Sequence, residues 1–146
     1  MIQHLPGHVA RTLRPVAEKL VINRREPDLH LQGYMRRWYL LPRNRWANVY
    51  LHEFYGSDEP RLHDHPWHSL SFTLCGLLWE EDITGASTPR WAGNLVYRSP
   101  QYAHRFDVTL PTLTVFATGP RVRRWGFLPR GCWTPWGPRE SVVLDQ

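Results

Sequence analysis

The sequence predicts an all-β domain, one sandwich or barrel carrying a short N-terminal helix or arm. Three observations lead there. From Tyr34 onward the chain is a succession of short apolar or alternating runs. Gly and Pro separate these runs at intervals of roughly 8–12 residues, the spacing of strands joined by turns. Helical periodicity is confined to the first 22 residues. With 146 residues the chain fits one domain and leaves little room for a second. At 42 % apolar and 21 % charged residues the composition is that of a folded domain.

The elements follow in order. Val9, Leu13, Val16 and Leu20 fall on one helical face, and Pro15 places the helix start near Arg14 or kinks the helix there. Residues 1–30 are therefore expected to form an arm or helix packed on a barrel of residues 31–146. Strands are expected at Met35–Leu41, Ala47–Tyr55, Ser69–Leu74, Leu77–Glu81, Asn94–Arg98, Ala103–Val108, Leu113–Thr118 and Val122–Phe127. Gly76 and Pro111 are among the turn markers between them. The tail from Pro129 to Gln146 reads as loop, with Trp133 and Trp136 folded back onto the barrel.

Several classes of protein are set aside at this stage. No apolar run approaches the roughly 20 residues of a membrane helix. The opening MIQHLPGHVARTLRPVAEKL has no continuous apolar stretch of the kind a secretory leader carries. The expectation is a cytoplasmic protein of a bacterium or phage-infected host, with no membrane partner. Cys75 and Cys132 are too few for a disulfide framework, and reduced thiols are expected. Cys75 reads as a small buried hydrophobe. The net charge is +5, and of the 18 basic residues 17 are Arg and one, Lys19, is Lys. Arginine offers a planar fork for carboxylate or phosphate. The arginines are spread along the whole chain, which fits a compositional bias better than one anion site.

Eight histidines stand in the sequence, three of them in His63-Asp64-His65-Pro66-Trp67-His68. In extended chain, residues two apart face the same way, so His63 and His65 project together. Two neutral imidazoles can share one ion, and a third ligand must come from another strand. His104, on the run Ala103–Val108, is the candidate. His68 has the opposite parity and is expected to face away; Asp64 likewise, in a structural role. His52 lies mid-strand and either lines the same cavity or bonds to the backbone.

The spacing around these residues resembles the cupin family. Its first motif runs G-x5-H-x-H-x3–4-E-x6-G; here His63 and His65 are followed by Ser69 in the place of Glu, then by Gly76. Gly56 precedes His63 by seven positions where the motif has six. The second motif runs G-x5-P-x-G-x2-H-x3-N. Gly93 and His104 stand at its separation of eleven positions, with Ser99-Pro100-Gln101 in place of Pro-x-Gly and Val108 in place of Asn. More narrowly, residues 36–54, 61–81 and 118–136 resemble recurring phrases of small cupin-like proteins of phages and prophages. The resemblance implies a single-domain cupin, a double-stranded β-helix or jelly-roll barrel, with His63, His65 and His104 as metal ligands and the family's acidic ligand lost at Ser69. It implies Fe(II) as the ion, with Zn, Ni or Mn as alternatives. Three-histidine cupins resemble thiol dioxygenases, in which substrate and oxygen occupy the open positions of Fe(II).

Other residues are weighed against that centre. Tyr102 and Phe106 share the face of His104 and are expected as an aromatic wall. A site with no anionic ligand is expected to take a small anionic molecule, with Arg98 or the cluster Arg121, Arg123 and Arg124 supplying a guanidinium. Arg98 and Tyr102 are the expected catalytic residues. The mixtures Tyr34–Trp38 and Pro42–Trp46 interleave basic and aromatic residues, a pattern that can stack bases. No nucleic-acid motif accompanies them, so nucleic acid is the weaker partner, and a homodimer is the candidate assembly. Glu80-Glu81-Asp82 ends a strand and is expected to be solvated. The rival to an enzyme is a binding or phage accessory module whose metal is structural or absent.

Overall fold

Two of the expected turns do not exist. Ser69–Leu74 and Leu77–Glu81 are parts of one strand, and Ala103–Val108 and Leu113–Thr118 are parts of another. The structure, a computed structural model, describes residues 3–4, 13–128 and 131–136. Its strands are β1 (Gln3–His4), β2 (Leu29–Leu31), β3 (Met35–Tyr39), β4 (Asn48–Phe54), β5 (Ser69–Asp82), β6 (Ser87–Trp91), β7 (Asn94–Arg98), β8 (His104–Thr118), β9 (Gly126–Phe127) and β10 (Thr134–Pro135). The pairing order is β1-β7-β5-β8-β4-β3-β2, with β6 also on β5 and β9 paired with β10. All pairs are antiparallel.

Gly76 and Pro111 act as bends and not as turns. The β5–β8 register shifts between Thr73 and Cys75, between Cys75 and Leu77, and between Leu77 and Leu78, so the two strands bulge together at that level. Gly76 sits at φ +93°, and a Cβ on it would lie 2.3 Å from the Pro111 carbonyl oxygen. The bulge carries both strands round the barrel corner, where a proline removes one ladder donor without ending the strand. Of the expected strand Val122–Phe127, only Gly126–Phe127 forms.

Residues 13–22 are helical, and the last five, Glu18–Ile22, take the wider π form. Leu13, Ala17, Val21 and Ile22 pack against the buried cluster Trp38, Leu51, Leu74 and Leu113. Val16 and Leu20 are 48 % and 59 % exposed, so the buried face is not the one the sequence suggested. Spacing of four along the chain, stretched by the π turn, rotates the contact stripe onto 13, 17 and 21; Val9 lies outside the described residues.

The helix covers the outside of β4 and its neighbours, which explains why β4 is buried on both faces. Leu51 faces the helix cluster. Tyr50, His52 and Phe54 face the barrel interior, where their rings touch Phe116 and Phe106. Registers run across this interior from Arg37 to His52 to Thr114 to Thr73, and two residues along from Tyr39 to Tyr50 to Phe116 to Ser71. Met35, Phe54, Leu78 and Phe106 close one end as a second apolar cluster. Among the described residues no helix is long and apolar enough to cross a membrane.

Candidate metal centre

His63 and His65 lie in the extended stretch before β5, not in a regular strand. His63 is held by a bridge in which it exchanges two backbone hydrogen bonds with His104, each 2.9 Å. That bridge binds the His63–His65 stretch to the start of β8, which is why three imidazoles 39 or more residues apart in part of their spacing converge. One ring nitrogen from each of His63, His65 and His104 lies within 4.8 Å of the others. Nε2 of His65 and Nε2 of His104 are 3.1 Å apart. That is close to the separation of two nitrogens bound to one ion by bonds of about 2.0–2.1 Å.

The orientation of His104 is set from behind. Its Nδ1 is 2.5 Å from Oε1 of Glu80, which leaves Nε2 directed into the cluster. A carboxylate on the far nitrogen is the usual partner of a metal-binding histidine, because it fixes the tautomer and the ring. Glu80 was expected in solvent; it is 1 % exposed. Past the β5 bulge Leu78 and Glu80 face inward, while Trp79 and Glu81 face out, Glu81 pairing with Arg105 at 2.5 Å. Glu80 also accepts from Arg98 Nε and Nη2 at 2.5 and 2.9 Å and from Arg90 Nε at 2.6 Å. Burial acts to raise the Glu80 carboxyl, but the Arg98 charge and the hydrogen bonds from His104 and Arg98 outweigh it and hold it far below the carboxylate range. Burial lowers His104 to about 4, against the pull of Glu80. His65 is also pushed well below the ordinary imidazole value, first by burial and then by His63 and His104.

Asp64 points away from the cluster, as its parity requires, and is 1 % exposed. Oδ1 accepts the Gly126 N–H at 2.9 Å, and Oδ2 accepts Trp133 Nε1–H at 2.8 Å and pairs with Arg123 at 2.6 Å. The carboxylate between the two histidines thus ties their stretch to β9 and to the segment holding Trp133. Trp136 packs tilted against Trp125 at 5.0 Å, and the Trp125 ring meets that of His63 edge-on at 6.5 Å. His68 turns outward, is exposed, and meets the Tyr97 hydroxyl at 2.5 Å.

The remaining candidates are distributed as follows. Arg98 is 3 % exposed, and its third nitrogen donates to Ser71 Oγ at 2.7 Å, so the guanidinium is committed to protein groups. Tyr102 is half-buried with its ring 5.6 Å from that of His104, and Phe106 lies on the other side of His104 at 4.8 Å. Ser69, in the acidic position of the motif, is 3 % exposed directly opposite Thr118. Arg121 and Arg124 are exposed. Trp38 is buried in the core and Arg36 pairs with Glu53, so the first aromatic–basic mixture is largely internal; Trp46 in the second is 65 % exposed, with Arg45 stacked over it. Cys75 is half-buried, with Arg14 Nη1 3.0 Å from its sulfur.

No family model and no curated protein matches the chain. Solved structures do. An RmlC-like cupin from Shewanella frigidimarina superposes with a TM-score of 0.56 at 17 % identity, covering 67 % of this chain and 86 % of that one. The fold is that of the cupins. A conserved Klebsiella pneumoniae protein with a double-stranded β-helix domain gives 0.56 at 18 % identity, over 68 % and 88 % of the two chains. Ectoine synthase from P. lautus gives 0.56 at 14 %, over 70 % and 74 %. At such identities the likeness to these structures is one of fold.

Three imidazoles with the second nitrogen of one backed by a carboxylate fit a divalent cation, and Fe(II), Zn, Ni and Mn all accept such nitrogen ligands. No carboxylate belongs to the ligand cluster among the described residues. His63 and His65 are half-buried, whereas His104 is 2 % exposed.

Proposed function

We propose that this cupin binds one divalent ion through His63, His65 and His104 and uses the open side of that ion to engage a small anionic molecule. The observation that carries the reading is the pairing of the ligand cluster with the Glu80–His104 hydrogen bond, a support that a chance histidine cluster does not need. The ion we favour is Fe(II), with Zn, Ni or Mn as alternatives, and the chemistry we favour is oxygenation. Bound there, the ion supplies Lewis acidity and open positions for an anion and a second small ligand. The chain's own residues do the rest. Glu80 holds the His104 tautomer, Arg98 and Arg90 hold Glu80, and Asp64 holds the stretch that carries His63 and His65. Arg98 is thus a positioning residue. Tyr102, its ring 5.6 Å from that of His104, would touch the bound molecule.

A second reading, a non-catalytic binding or phage accessory module, is favoured by the loss of the acidic ligand at Ser69. The fold does not choose between them, since cupin folds serve both uses and the similar structures include one named as a synthase and one uncharacterised protein. Elemental analysis of untagged protein tests both. We expect about one divalent ion per chain, almost none in His104→Ala, and no change in His68→Ala. Full loading of His104→Ala would overturn the proposed ligand set.

A further inference from the structure

Three arginines face or border the barrel interior, and two of them have a carboxylate: Arg98 and Arg90 share Glu80. Arg37 has none among the described residues. It projects inward from β3 opposite His52, donates from Nε to His52 Nε2 at 2.8 Å, and lies 5.0 Å over the Tyr50 ring. Tyr50 stacks on Phe116, and Phe116 lies 6.3 Å from the His65 ring, so the guanidinium and the ligand cluster border one aromatic floor. With Nε engaged, the edge formed by Nη1 and Nη2 remains, and neither atom makes a hydrogen bond or ion pair among the described residues. That edge matches the two oxygens of a carboxylate. A half-buried cation without an acid is costly to keep. Two further polar groups on the same interior point the same way. Ser69 Oγ and Thr118 Oγ1 sit opposite each other on β5 and β8, buried and without a hydrogen-bond partner among the described residues.

We propose that Arg37 is the anion receptor of this barrel: its free guanidinium edge binds the carboxylate of a small ligand that lies on the Tyr50–Phe116 floor beside the histidine cluster. The proposal deepens the metal-site reading by naming the ligand class, a small carboxylate with further hydrogen-bonding groups for Ser69 and Thr118, and the residue that selects it.

The test uses the full chain and carbon-13-labelled acetate, titrated by NMR into metal-free and zinc-loaded protein. Arg37→Met is expected to weaken acetate binding about tenfold or more in both forms. Arg37→Lys keeps the charge but loses the fork and should fall between, while Arg121→Met, on an exposed residue, should bind as the parent does. Circular dichroism and a melting curve establish that each variant is folded, and Arg37→Lys carries the test if Arg37→Met is not. Acetate binding that depends on Arg37 in metal-free protein, with no zinc uptake, would uphold this proposal and remove the metal site. Zinc uptake with acetate binding indifferent to Arg37, or no acetate binding in either form, would overturn the proposal and leave the metal site standing.

Discussion

Arg98 lies behind Glu80 on the His104 side of the histidine cluster, Arg37 borders the aromatic floor on its His65 side, and the fold treats the two in opposite ways. Arg98 is 3 % exposed and gives three nitrogens to Glu80 and Ser71. Arg37 is half-buried and gives one nitrogen to a neutral histidine. The first side is closed, with a carboxylate held by two guanidiniums and an imidazole, so that the ring of His104 has one orientation. The second side is open, with an unmatched cation over an aromatic floor. The contrast separates two uses of charge in one barrel. A charge answered by protein groups sets geometry; a charge left unanswered at an open face is available to a ligand.

The comparison is most severely tested by Glu80→Gln. This change leaves Arg98 and Arg90 buried without an anion, and the expected loss is about 3–5 kcal/mol in urea unfolding. Zinc affinity, measured by competition with a chromophoric chelator, should drop about 10–100-fold as His104 loses its support. A variant as stable as the parent would mean that the closed side is not closed. Arg98→Met should cost less, about 2–4 kcal/mol, because Glu80 keeps Arg90 and His104.

Acid should act on the closed side as well. In metal-free protein burial holds His104 at about 4, whereas an unfolded imidazole titrates near 6.5. Below 6.5 the unfolded state takes up the proton first, so stability falls as pH drops toward 4, by about 1.4 kcal/mol per unit for such a group. Burial shifts His52 and His65 in the same direction, which adds to the slope. Urea midpoints between pH 7 and 5 should therefore decline steadily, and a flat profile would contradict the burial of these rings. The smallest effect is the sharpest contrast. Arg37→Met should change stability by no more than about 1 kcal/mol, since one hydrogen bond is lost and one uncompensated charge is relieved. A loss as large as that of Arg98→Met would reveal a structural partner for Arg37 and erase the difference between the two sides.

The histidine cluster could be read from the chain because alternation in extended backbone survives even where no regular strand forms: His63 and His65 point one way, Asp64 and His68 the other. Glu80 could not. Three acids at a strand end look the same whether solvated or half turned inward, and the inward turn here depends on a bulge. A signal was nonetheless present, in that Glu80 shares parity with Leu78 while Arg90 and Arg98 fall on the neighbouring strands. Arg37 was hidden for a different reason. Between Arg36 and Trp38 it looks like part of a basic–aromatic surface, but strand parity divides the segment, sending Arg36 and Trp38 to the outer face, Trp38 under the helix, and Arg37 into the barrel. Regular 3.6-residue spacing points to the wrong helix face because the segment ends in a π turn.

The paired bend at Gly76 and Pro111 has a consequence for how the molecule comes apart. Because β5 and β8 run through the bend side by side, each contributes to both layers of the barrel, and their mutual pairing is the seam of the whole sheet. Neither layer can melt and leave the other with its strands in register. Unfolding should accordingly be a single cooperative transition, with the same midpoint whether followed by tryptophan fluorescence or by backbone circular dichroism. The ligand cluster, with His104 at one end of β8 and its partner Glu80 on β5, should lose its geometry in that same event.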